Sequence, residues 1–245
     1  MIKKVEGVIV GEYNYSESSK ILKVITKEYG LISMIAKGAR RLKNNLRAVS
    51  DKLTYGHFHI YYKEDKLSNL ISVDVINVFK NIRRDIKSIS YATFITELVQ
   101  QVVKDEYNQE IYQILINSLL KIEAGFDPLV ITNILELKML EYLGVKPVLD
   151  NCAVCGNKKD IVTLSSRKGG YLCLDCYDGE KKVSQKAIKL IRMFYYVDIA
   201  KITKLSISDK VKQEIDLFID DYYDCYTGLY LKSKQFLKDL KLLPS

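Results

Sequence analysis

The chain has 245 residues, 48% of them hydrophobic and 28% charged, which excludes a disordered chain and leaves apolar side chains enough for two or three cores. No apolar run approaches the roughly 18 residues that would span a bilayer, and Met1-Ile2-Lys3-Lys4-Val5-Glu6-Gly7 has no apolar stretch behind its lysines, so neither a membrane span nor a signal peptide is expected and the expected compartment is the cytoplasm. Net charge is +8, and it is unevenly placed: residues 1–84 carry 16 basic and 8 acidic side chains, residues 85–245 carry 22 of each, the footprint of a module that meets a polyanion, most often nucleic acid.

The N-terminal third reads as strands. Runs 5–15, 20–26, 31–36, 53–62 and 67–75 are rich in Val, Ile and Tyr with partial period-two alternation, punctuated by Gly11, Gly30 and Gly56. Lys63-Glu64-Asp65-Lys66 forms a polar hairpin tip between the last two. Five short strands with almost no helix between them predict a small antiparallel barrel, and an SH3-like barrel fits nearly as well.

Between the third and fourth runs lies a basic segment. From Tyr29 to Ser50 there is no acidic residue, and Lys37, Arg40, Arg41, Lys43 and Arg47 place five cations within eleven positions. A loop so charged neutralises phosphates and releases their counterions. It has no Asn or Gln pattern that reads base edges, so little sequence specificity is expected. Tyr13, Tyr15, Tyr29, Tyr55, Tyr61 and Tyr62 lie on the same strands. Most are expected to be cross-strand packing, with about two free to stack on single-stranded bases.

After Asn77 the period becomes helical. Ile95, Leu98, Val99 and Val102 share a face, as do Ile111, Ile114, Leu115, Ser118, Leu119 and Ile122, before Gly125. Asp127-Pro128 then supplies an N-cap and first-turn proline for a third helix ending at Gly144. Further helices are expected over 184–196 and 208–240, the second carrying Val211, Ile215, Phe218, Ile219 and Tyr222 on one face.

Four of the five cysteines form Cys152-x2-Cys155 and Cys173-x2-Cys176, 17 residues apart. Two thiolates from each tight turn complete a tetrahedron, so one structural Zn²⁺ per chain is expected, with no position left open for substrate. Lys158, Lys159, Arg167, Lys168, Lys181 and Lys182 surround the pairs and offset the negative charge of four thiolates. Cys225 reads as an ordinary half-buried cysteine. Nucleotide-cradling motifs are missing. His57 and His59 read as partly exposed strand positions. The carboxylates Asp216, Asp220, Asp221 and Asp224 read as a solvated helix flank, with a two-metal nuclease as the rival. No catalysis is expected.

Glu6–Val10, Ser19–Thr26, Gly30–Ile32, Ala36-Lys37-Gly38-Ala39-Arg40-Arg41 and the junction from Leu135–Gly144 through Pro147 and Leu149-Asp150 into Cys152-Ala153-Val154-Cys155-Gly156 resemble, in order and over nearly the whole chain, the bacterial recombination mediators of the RecO family. The resemblance implies an α+β chain. An oligonucleotide-binding (OB-fold) barrel over 1–79 is followed by helical segments over 80–149 and 183–245, with a four-cysteine zinc module over 150–182 between them. It implies a non-enzymatic protein of the RecF pathway that binds single- and double-stranded DNA and anneals complementary strands without ATP. Its implied partners are RecR and the C-terminal tail of the single-strand-binding protein SSB, loading RecA on DNA in the nucleoid-bearing cytoplasm. Lys37, Arg40 and Arg41 would contact the DNA backbone. A basic adaptor that binds acidic protein tails remains the other rival.

Overall fold

Alternating apolar residues build the five expected strands: β1 (Ile2–Tyr15), β2 (Ser19–Thr26), β3 (Gly30–Ala36), β4 (Tyr55–Tyr61) and β5 (Ser68–Asn77). The first three start one to three residues earlier than expected, β4 is shorter at both ends and β5 is shifted towards Asn77. In the computed structural model, which describes residues 1–64, 66–105 and 107–241, they close into a barrel of order β1-β2-β3-β5-β4. Asp65, at the expected hairpin tip, lies outside the described residues. β1 is long enough to serve two partners, pairing with β4 from Ile2↔Tyr61 to Val8↔Tyr55 and with β2 from Gly7↔Thr26 to Tyr15↔Ser19. A register shift between Ile9 and Gly11 bends it from one neighbour to the other. The barrel is not antiparallel throughout. β3 and β5 meet in parallel at Met34↔Ser68 and Ile35↔Asn69, because strand order rather than hairpin connection brings them together. Gly56 fits where β4 and β5 come closest, since a Cβ there would stand 2.5 Å from the Asp74 carbonyl oxygen.

The interior is packed by Val5, Ile9, Leu22, Val24, Met34, Phe58, Ile60 and Leu70. Three helices complete the first of two compact units, residues 1–124: α1 (Lys80–Arg84), α2 (Ile86–Asp105) and α3 (Gln109–Glu123). Two tyrosines fasten them to the barrel. Tyr107 donates to the carbonyls of Thr26 (2.8 Å) and Lys27 (2.6 Å). Buried Tyr112 and Tyr55 both donate to Glu6 Oε1, at 3.1 and 2.6 Å.

The second unit, residues 125–245, is organised around α4 (Pro128–Tyr142). Asp127 caps it, accepting from Leu129 N at 3.0 Å, with Pro128 in the first turn. α4 is apolar nearly all round and correspondingly buried from Val130 to Leu137. α5 (Gln185–Tyr196) and α6 (Asp209–Tyr226) pack on it, and Tyr223 of α6 donates to the Glu136 carbonyl at 2.9 Å. The helix expected over 208–240 is two helices. Gly228 takes φ +60° and breaks it, so that α7 (Lys232–Lys241) begins anew. No described helix is long and apolar enough to cross a membrane.

Candidate metal centre and nucleic-acid surface

Between α4 and α5 the chain forms a hairpin, β6 (Ile161–Ser165) and β7 (Gly170–Cys173). The two cysteine pairs flank it. The first sits in a turn closed by Cys152 N donating to Asn157 O (2.7 Å) and Gly156 N donating to Cys152 O (2.9 Å), with Gly156 at φ +76°. The second straddles the end of β7 and the 3-10 turn 174–176 that follows. Gly170 lets the strand pass against the segment before the first turn: it has φ +153°, and a Cβ would lie 2.1 Å from Val148 O.

The four sulfur atoms all lie within 4.8 Å of one another. Cys152 and Cys173 are buried, while Cys155 is exposed. Burial opposes ionisation of Cys152, yet hydrogen bonds from the backbone N–H groups of Cys155, Cys173 and Val154 bring its thiol down to about 6. Cys176 moves the other way, to about 12, first through its contact with the Cys155 sulfur and then through burial. Thiols that resist ionising together are what a cation relieves, so the donor set fits a metal ion. Among the described residues these four are the group that brings metal-binding atoms together. Asp150, two residues upstream, ties the turn to α5 by accepting from Arg192 Nε (2.8 Å) and Tyr196 Oη (2.6 Å).

On the barrel, Lys37–Thr54 joins β3 to β4 by a series of tight turns. Buried Ala39 and Leu46 drop into the barrel core and pin the loop. Between these anchors and on either side of them Lys37, Arg40, Arg41, Lys43 and Arg47 are all exposed. None has an ion-pair partner among the described residues, and Arg40 reaches only the Ser16 carbonyl (3.1 Å). Other barrel cations are engaged: Lys4 with Asp74, Lys20 with Glu12 and Asp51, Lys27 with Glu6. The anchoring was not visible in sequence, where Ala39 and Leu46 are simply two apolar residues in a charged run.

The remaining candidates separate clearly. Tyr55 is buried on Glu6, whereas Tyr29 and Tyr62 stack on each other at 4.5 Å. His57 and His59 are partly exposed, and His59 Nε2 lies 2.9 Å from Asp74 Oδ2. Asp220 pairs with Lys234 at 2.9 Å, and the α6 carboxylates bring no three metal-binding atoms together. Cys225 is exposed rather than half-buried, because it falls on the outer face of α6.

The family model described as "Recombination protein O N terminal" matches residues 1–79, and that described as "Recombination protein O C terminal" matches residues 83–235. A curated relative from Listeria innocua serovar 6a, named DNA repair protein RecO, is 34% identical over 243 residues, covering 98% of this chain and 95% of that protein. Proteins of the same name from Bacillus cereus strain AH187 and from Bacillus anthracis are 36% identical over 244 residues, covering 98% of both chains. Barrel, helical unit and cysteine centre thus occur in a chain that belongs to the RecO family of DNA repair proteins.

Proposed function

We propose that this chain is a non-enzymatic mediator of recombinational repair that binds DNA and anneals complementary single strands. The observation that carries the reading is the β3–β4 loop, five exposed cations with no carboxylate partner among the described residues, held on a closed barrel. Lys37, Arg40, Arg41, Lys43 and Arg47 grip backbone phosphates, so two strands that repel each other are held together while base pairing supplies the free energy. No nucleotide is consumed. In the cell the protein works in the cytoplasm with RecR and the SSB tail to load RecA on single-stranded DNA.

Cys152, Cys155, Cys173 and Cys176 hold one Zn²⁺ per chain. The ion neutralises thiolate charge and ties the two turns together, and with four protein ligands it serves structure rather than catalysis.

The test is annealing of two complementary labelled strands precoated with SSB, without nucleotide. Acceleration that disappears in an Arg40→Ala/Arg41→Ala variant is the expected result. Tight DNA binding without acceleration would overturn the mediator reading, and strand cleavage on adding Mg²⁺ or Mn²⁺ would replace it with an enzymatic one.

A further inference from the structure

Tyr29 ends the β2–β3 turn and Tyr62 opens the β4–β5 loop. Their rings stack with centroids 4.5 Å apart and planes 26° apart. Lys3 of β1 donates to Tyr29 Oη at 2.7 Å and holds its ammonium 4.5 and 4.4 Å from the two ring centroids. Tyr62 and Ile32 pack on the barrel core from one side, yet the pair is not enclosed: it lines an open cleft of about 420 Å³, completed by partly exposed Leu31, Ile32 and Leu67, the Ser33 hydroxyl, and Lys63 and Lys66 at the rim.

The cleft exists because β3 and β5 touch only at Met34↔Ser68 and Ile35↔Asn69. Leu31 and Ile32 therefore have no strand partner on that edge among the described residues. An apolar floor, an aromatic wall, one hydroxyl and a lysine rim suit a flat, hydrogen-bonding π-system attached to an anion. We propose that this cleft is a stacking subsite for an unpaired base of single-stranded DNA. The inference rests on the DNA-binding reading above and deepens it.

Position supports it. The cleft stands at the start of β3 and the basic loop at its end, seven residues or about 20 Å apart. A strand laid along the β2–β3 face, the usual path on OB-type barrels, places phosphates on Lys37, Arg40 and Arg41 and a base in the cleft against the exposed side of the Tyr29–Tyr62 pair. Duplex DNA has no unpaired base to offer, so the two sites divide the work: the loop binds any backbone, and the cleft selects single strands.

The experiment compares affinities of the full chain for oligothymidylate and for a duplex across a salt series. Tyr29→Leu/Tyr62→Leu, which keeps apolar bulk and removes the π faces, is expected to weaken single-strand binding roughly five- to hundred-fold. Duplex affinity and both salt slopes should not move, and the Tyr29→Phe/Tyr62→Phe pair should restore the loss. Equal loss on both DNAs, or none, overturns the subsite while leaving DNA binding intact. A wild-type chain that binds neither DNA overturns the functional reading itself. Independently of any variant, irradiation with 5-iododeoxyuridine in the oligonucleotide should crosslink Tyr29 or Tyr62. Crosslinks confined to other residues would place the bases elsewhere.

Discussion

Cys173 is fully buried at the end of β7, with Cys155 Sγ 3.6 Å from its own sulfur. A serine there keeps the volume and removes one soft ligand from a set with none to spare. Cys173→Ser should therefore lower metal content from about one ion per chain towards none and reduce the Tm of the second unit, while DNA binding by the barrel persists. Metal analysis of freshly purified, unchelated protein decides it, since a metal-free wild type would refute the centre. The cysteines were legible in sequence because each pair is a local event: two ligands from one turn, at a spacing that needs no knowledge of the rest of the chain. The tyrosines were not. Tyr55 is set apart from Tyr29 by long-range contacts, a hydrogen bond to Glu6, 49 residues away, and stacking on Phe79, and Tyr62 finds its stacking partner 33 positions away in sequence. Nothing in the local pattern distinguishes a tyrosine that closes a core from one that lines a cleft.

Elements were readable where their ends carry their own chemistry. Asp127-Pro128 marked the start of α4 to the residue, and Ser184 caps α5 by accepting from Ala187 N at 3.2 Å. Gly228 gives no local sign of the break, since apolar Leu229, Leu231, Phe236 and Leu237 follow it, yet the chain there adopts a left-handed conformation at φ +60°. The parallel β3–β5 contact is likewise set by barrel closure, which no strand announces. Asp85 offers a quantitative check on α2. Its Oδ2 accepts from Ser88 N at 2.8 Å and from Ser88 Oγ at 2.6 Å, and these bonds hold its carboxyl below the ordinary value of 3.8. A carboxyl lowered on folding adds stability above its unfolded value and loses it as pH falls through the folded one. Asp85→Ala should thus cost about 1 kcal/mol at pH 7, with the gap from wild type closing as pH drops below 3.8. Urea unfolding of both proteins at pH 7 and in acid measures it, and a gap independent of pH would show that the charge contributes nothing.

Over the whole molecule the positive excess lies in residues 1–84, while residues 85–245 balance at 22 of each sign. That balance does not extend to the second unit alone, since residues 125–245 carry 19 basic and 16 acidic side chains, and Lys158, Lys159 and Lys181 are exposed around the cysteine centre. With the proposed divalent ion bound, however, four thiolates would leave a local charge of about −2, and those lysines would stand in its field. The barrel loop has less counterweight: no carboxylate occurs between Tyr29 and Ser50, and Asp51, the one carboxylate of the loop, is paired with Lys20 at 2.8 Å. Equal numbers of cations in the two places should therefore bind a polyanion unequally. Counterion release makes the difference measurable, because each phosphate neutralised adds about 0.7 to the slope of log K against log salt on single strands. Replacing Lys37, Arg40 and Arg41 with glutamine should flatten that slope by about 2. Replacing Lys158, Lys159 and Lys181 should change it by far less. If both triple variants flatten the slope equally, DNA lies across both units and the loop is one contact among several. If only the loop variant does, the asymmetry in the sequence is the binding surface itself.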